Sequence, residues 1–153
     1  MKFELWLVGK NDPAIADAFE KYISRIKRYI AFEVKYFATG KSTTSPEHIK
    51  KEEAERILKK TDQDDFLIVL DERGQTYTSE AFARLIEQLL VRSNKRIIFI
   101  IGGSYGITRA LRESSSLLLS LSPLTLSHQL ARLVFAEQLY RAFTILKNEP
   151  YHH

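Results

Sequence analysis

The chain has 153 residues, 44% of them hydrophobic and 27% charged, the composition of an ordinary folded domain with enough bulk for a core. It contains no cysteine, which excludes disulfides and thiolate metal sites and suits a reducing, cytoplasmic setting. A net charge of +4 leans mildly toward an anionic partner, and no segment approaches the roughly 20 apolar residues of a membrane span.

Taken in chain order, Lys2–Gly9 alternates in polarity and predicts a strand. Its apolar part, Phe3–Val8, is too short for a signal peptide and lacks a cleavage-site pattern. Asp12-Pro13 opens a predicted helix reaching about Ile30, with Ile15, Phe19, Ile23, Ile26 and Ile30 at helical spacing. Phe32–Phe37 predicts a second strand, and Ala38–Ser45 (ATGKSTTS) a loop of flexible composition whose sole charge is Lys41. Pro46 suits a first helical turn and starts a charged helix to about Lys60. Phe66–Leu70 (FLIVL) is a continuous apolar run, as expected of a strand buried on both faces. Asp71-Glu72-Arg73-Gly74 predicts a turn, and Thr78 caps a helix through about Val91.

A second fully buried strand, Arg96–Ile101 (RIIFII), leads into Gly102-Gly103-Ser104-Tyr105-Gly106 and a helix. Leu117–Leu121 predicts a third within the run LLLSLSPLTL, and Ser127–Asn148 a long helix before Pro150-Tyr151-His152-His153. Strands alternating with helices predict an α/β fold: a mostly parallel sheet with helices on both faces, one domain spanning residues 1–153. In the last helix Leu130, Leu133, Val134, Phe135, Leu139, Tyr140, Phe143, Ile145 and Leu146 occupy more than one face. Such a helix is buried on more than one side, and a second subunit is the expected cover, with an internal position in a monomer as the alternative. Glu137 and Arg141 lie one turn apart and can pair.

The turns after RIIFII and after Leu117–Leu121 are expected side by side in the sheet, where open α/β proteins bind ligands. The glycine loop lets backbone approach a ligand closely. Leu121-Ser122-Pro123-Leu124-Thr125-Leu126 adds apolar side chains and main-chain groups, a lining suited to an adenosine without phosphates. A plain loop with a buried proline is the alternative. Gly102–Gly106 also satisfies G-x-S-x-G, the serine-hydrolase elbow, with Glu137 and His152 or His153 following in order. The chain is short for that fold, however, and its histidine would sit on the terminus. No P-loop motif occurs, and His48, His128, His152 and His153 offer no metal-ligand spacing, so no catalytic metal is expected.

The combination IIGGSYG, LSLSPLTLSHQLARLVFAEQLYRAF and terminal EPYHH resembles the RlmH family of SPOUT-class methyltransferases, and the resemblance runs the full length, including KFELWLVG and Gly40-Lys41. It implies methylation of N3 of a pseudouridine in 23S ribosomal RNA, with S-adenosylmethionine as donor and the assembled ribosome as the expected partner. It further implies a C-terminal trefoil knot and a homodimer with composite sites. Cofactor contacts carry over to Leu70, Gly102 and Leu121–Leu126, and the substrate side to Arg141, Tyr151 and His152. Arg141 would face a uracil carbonyl and His152 the N3 proton. The family commonly ends in Lys or Arg where this chain has His153, and often has proline or a small residue at Ser104. Lys21, Arg25, Lys27, Arg28, Lys41, Lys50 and Lys51 are candidate phosphate contacts. A non-catalytic ribosome-associated RNA-binding protein is the alternative reading.

Overall fold

A computed structural model describes residues 1–41 and 45–153; positions 42–44 of the predicted flexible loop lie outside the described residues. Ten elements follow in strict alternation: β1 (Lys2–Val8), α1 (Pro13–Ile26), β2 (Phe32–Phe37), α2 (Pro46–Leu58), β3 (Asp65–Thr76), α3 (Ser79–Leu90), β4 (Arg96–Ile101), α4 (Arg109–Ser114), β5 (Leu117–Ser120) and α5 (His128–Leu146). The five strands form a single parallel sheet in the order β2-β1-β4-β3-β5.

The period of two along each strand sorts its side chains into two cores. Phe3, Leu5 and Leu7 of β1, with Ile97, Phe99 and Ile101 of β4, join the helical faces of α1, α3 and α5. Trp6 and Val8, with Ile98, Ile100, Leu67 and Val69, meet Ala54 and Ile57 of α2 and Ile107 and Leu111 beside α4. Both faces of β1, β4 and the first half of β3, Phe66–Leu70, are therefore largely dry, which is why these stretches read as apolar runs.

The caps explain where the helices start. Asp12 accepts from the N–H of Ala14 before Pro13, Ser45 from His48 before Pro46, Thr78 from Ala81, Thr108 from Leu111 and Ser127 from Leu130. The ends are shorter than periodicity predicts: α1 stops at Ile26 rather than Ile30, and α2 at Leu58.

Two expectations need correction. Asp71–Gly74 does not reverse the chain: β3 bulges there, then resumes beside β5, with Leu70 and Gln75 both opposite Leu119. Gly74 lies so close to β5 that a Cβ would come within 2.6 Å of the Leu118 carbonyl carbon. The strands preceding the two ligand-side turns, β4 and β5, are not neighbours either; β3 runs between them. Helix α5 packs against both α1 and α3 over the sheet, so neighbours within the chain already cover much of its apolar circumference.

Replacing Gly74 with alanine therefore forces β3 and β5 apart. The expected cost is about 1–3 kcal/mol of unfolding free energy, read as a lowered urea midpoint at unchanged slope.

Candidate active site

The C-terminal ends of β3, β4 and β5 open onto a cleft of about 540 Å³. One wall is the loop after β4, closed on itself by a bridge between Gly103 and Gly106 whose N–H to O distance is 3.0 Å. A Cβ at Gly102 would lie 2.8 Å from the Gly106 carbonyl oxygen, so only glycine fits this wall. The other wall is the segment after β5. Ser122 holds its shape: its hydroxyl accepts from the Leu124 N–H at 2.9 Å, while its carbonyl accepts from Ser120 at 3.0 Å. Among the described residues, the N–H groups of Thr125 and Leu126 donate to no protein acceptor. Leu70, at the β3 bulge, floors the cleft between them.

Of the sequence-predicted cofactor residues, Leu70, Gly102, Leu121, Ser122, Leu124, Thr125 and Leu126 line this cleft, whereas Pro123 shapes the loop from an exposed position. The β3 bulge adds groups not singled out from sequence. Asp71 reaches toward Arg112 of α4 at 3.6 Å across the cleft, and Glu72 accepts from the Thr125 hydroxyl at 2.9 Å. Apolar walls with free main-chain donors suit a heterocycle whose polar edge is read by backbone.

Behind the glycine loop stands Glu53 of α2, a buried carboxylate. One oxygen accepts from the Gly40 N–H at 2.9 Å; the other lies 3.2 Å from where a Cβ on Gly103 would be. Glu52 takes the Lys41 N–H at 3.0 Å, and Arg56 donates to the carbonyls of Ala38 and Thr39 at 2.8 Å each. Residues 38–41 are thereby clamped onto α2 next to the glycine loop. Burial pushes the Glu53 carboxyl above the ordinary range, against the Gly40 hydrogen bond.

Arg141, Tyr151 and His152 come together at the other end of α5. The Arg141 guanidinium holds Glu137 through Nε at 3.1 Å and a second nitrogen at 2.6 Å, and lies over the Tyr151 ring at 4.8 Å. Tyr151 donates its hydroxyl to the same Glu137 oxygen at 3.1 Å. Burial, then the hydroxyl partners Tyr22 and Glu137, hold that phenol protonated well above its usual range. Arg141 also meets Nδ1 of His152 at 3.0 Å, while Nε2 faces Glu80 at 2.8 Å. A guanidinium only donates and a carboxylate only accepts, so the neutral ring carries its proton on Nε2, and Nδ1 is capped by Arg141. Glu80 lies 72 residues from His152 and gave no signal in the sequence. The hydrogen bond from His152 lowers its carboxyl below the ordinary value.

This cluster does not touch the cleft. Ala131 lines the cleft and Arg141 lies ten residues further along α5, about 15 Å at 1.5 Å per residue. The same separation dismantles the hydrolase reading. Ser104 sits exposed in the glycine loop, while Glu137 and His152 are engaged with Arg141 at the far end of the helix. His153 is exposed. Among the described residues no group of three or more His, Asp or Glu side chains is placed to hold a metal, and no helix is long and apolar enough to cross a membrane.

The family described as predicted SPOUT methyltransferase matches residues 1–152. The ribosomal RNA large subunit methyltransferase H of Parabacteroides distasonis is 41% identical over 156 residues, covering 100% of this chain and 99% of that protein. The protein of the same name from Syntrophotalea carbinolica is 44% identical, covering 99% of each. A solved structure of a probable methylase family protein from Haemophilus influenzae Rd KW20 aligns with 99% of this chain and 70% of its own, at a TM-score of 0.54 and 13% identity. That last likeness concerns the fold alone.

The buried Glu53 gives a pH signature. With its folded pKa raised, the folded chain keeps a proton that the unfolded chain has lost, so stability falls as pH climbs from 4.5 through the raised value. Glu53→Gln keeps an acceptor for Gly40 and removes the ionisable group. Urea unfolding between pH 4 and 8 is expected to find the variant more stable than the parent at neutral pH, with the gap closing below pH 4.5.

Proposed function

This chain belongs to the SPOUT methyltransferase family and is a methyltransferase; from that premise we propose that it methylates N3 of a pseudouridine in 23S ribosomal RNA on the assembled ribosome, using S-adenosylmethionine. The observation that carries the reading is the cleft of about 540 Å³ between the glycine loop and Leu121–Leu126, in a chain matched from end to end by large-subunit methyltransferases. A reducing cytoplasmic setting accords with that substrate.

The cleft fits the donor's chemistry. Gly102 presents bare backbone, Leu70, Leu121 and Leu126 supply apolar surface for a purine, and the N–H groups of Thr125 and Leu126 are free to read its edge. When bound, the donor supplies a sulfonium-activated methyl group. The protein's own tasks are then alignment and removal of the imide proton.

Arg141 and His152 supply the second task as a coupled pair. While Arg141 caps Nδ1, His152 has no free lone pair. If Arg141 turns to a uracil carbonyl, it stabilises negative charge on the base and uncovers Nδ1 to accept the N3 proton. Glu80, facing Nε2 at 2.8 Å, orients the ring and compensates its charge once protonated. Tyr151, fixed on Glu137 and under Arg141, positions the guanidinium.

The distance along α5 makes a second copy part of the proposal. Cleft and tail lie at opposite ends of one helix, so an antiparallel pair of α5 helices brings each tail to its partner's cleft. The exposed Leu130 and Leu124 near the cleft accord with such a cover. The knotted C-terminal half belongs to the same proposal. It is supported by the way residues 121–127 leave the edge strand and α5 returns between α1 and α3, tied to residues 71–79 by Thr125–Glu72 and by Ser79–Gln138 at 2.8 Å.

Mass spectrometry of ribosomal RNA from cells with and without the protein tests the reaction: one N3-methylpseudouridine disappears from 23S RNA, and an unchanged nucleotide profile overturns the reading. Calorimetry with S-adenosylmethionine separates an enzyme from a non-catalytic RNA-binding protein, for which no donor binding is expected. Composite sites are tested by mixing Gly102→Val with Arg141→Ala, each expected to be inactive alone. After exchange of subunits, roughly a quarter of the parent's sites are whole, and methyl transfer recovers accordingly. No recovery places both halves within one chain.

A further inference from the structure

Beside the tail, sharing Tyr151 alone with the residues assigned to catalysis, lies a second hollow of about 420 Å³ between the ends of α1 and α5. It is lined by Arg25, Arg28, Tyr29, Tyr140, Glu149 and Tyr151. Arg56, Arg96, Arg109, Arg112 and Arg141 all reach carboxylates, whereas the side chains of Arg25 and Arg28 form no ion pair or hydrogen bond among the described residues. Arg25 instead lies over two rings, 5.3 Å from the centre of Tyr140 and 5.8 Å from that of Tyr22. Its plane is thus held by aromatic faces while its N–H edges stay free for an oxyanion.

The aromatic side is equally fixed. Tyr29 stacks on Phe143 with centroids 5.3 Å apart and planes 5° from parallel, and Tyr140 meets Tyr151 edge-on at 4.8 Å. The Tyr29 hydroxyl donates to Glu149 at 2.6 Å, and burial followed by that carboxylate pushes its phenol up to about 12. It remains a donor at any physiological pH. One Glu149 oxygen is used in this way; the other accepts from no protein donor among the described residues.

Two free guanidinium groups, pre-oriented rings and one spare acceptor within a single hollow match the parts of a nucleotide: phosphate, base face and base N–H edge. We propose that this hollow is an RNA subsite, holding a nucleotide that flanks the methylated one, with Arg25 and Arg28 on its phosphates and Glu149 on its base. The inference rests on the ribosomal RNA reading above and deepens it. Tyr151 borders both the hollow and the Arg141–His152 cluster, so a nucleotide seated here sets the register of its neighbour at the reacting groups. That addresses a need of this chain, whose net charge of +4 is small for gripping RNA.

The test uses the full-length protein and large ribosomal subunits purified from cells lacking it, with methyl transfer followed as subunit concentration and salt are varied. The double variant Arg25→Ala/Arg28→Ala is expected to raise KM for the subunit roughly tenfold and to reduce the slope of log affinity against log salt by about one to two. S-adenosylmethionine affinity and sedimentation should match the parent. Arg28→Ala alone, at an exposed position, should show part of the effect without any question of folding. Arg25→Lys, which keeps charge but loses the stacked plane, should fall between parent and alanine variant. Unchanged KM and salt slope overturn the subsite, as does loss of dimerisation in the alanine variants, which would make the hollow a contact between copies. Absence of transfer by the parent protein fails the ribosomal RNA reading itself, and the subsite with it.

Discussion

One buried guanidinium fixes where the last helix begins, and the site depends on that placement. Arg132 of α5 is fully buried; it donates to the carbonyl of Val8 at the end of β1 and, at 3.1 Å, to the side chain of Asn11. Burial, opposed weakly by Tyr36, pulls its pKa below the usual arginine value, though a guanidinium stays charged in proteins. One helical turn earlier, Gln129 accepts from the Asp12 N–H at 2.8 Å and donates to the Lys10 carbonyl at 3.0 Å. These bonds pin the start of α5 to the C-terminal edge of the sheet. The segment from β5 is then obliged to cross that edge, and its backbone becomes a wall of the cleft.

The same helix carries its chemistry to a distant place. Its first turns border the cleft; Glu137 at its middle and Arg141 one turn further on receive the tail, where Tyr151 and His152 are tied to Glu137, Arg141 and, through Glu80, to α3. A rigid rod of this length sets the cleft apart from the tail cluster within one chain, and in the proposed dimer it fixes the distance that the second copy bridges. The arginine cap on Nδ1 of His152 has a related meaning. In the proposed mechanism, a base whose lone pair stays covered until Arg141 finds a substrate carbonyl is inactive without RNA, which suits an enzyme of a single target.

The β3 bulge links fold and site in a comparable way. Residues 71–74 leave the ladder, placing Asp71 and Glu72 at the cleft, and the strand rejoins β5 at Gln75. A tight turn would have removed both carboxylates from that rim. On the opposite face, Glu53 braces the glycine loop at the cost of burying a carboxylate, and the Gly40 N–H offsets only part of that burden.

Much of this was legible in the chain itself. Periods of two and 3.6, helix starts at Asp12-Pro13, Pro46 and Thr78, and the apolar runs FLIVL and RIIFII located the elements and their alternation, because burial and capping are local demands on residue type. The glycine loop and Leu121–Leu126, which the structure brings together as walls of one cleft, stood out for the same reason: bare backbone and proline leave a signature in sequence. What sequence could not carry is pairing over distance. Strand order, with β3 between β4 and β5, the bulge in place of a turn, the meeting of Glu80 with His152 and the gap between cleft and tail all depend on how separate elements pack. No residue type announces a neighbour 72 positions away; only the packing of α3 beside α5 creates it.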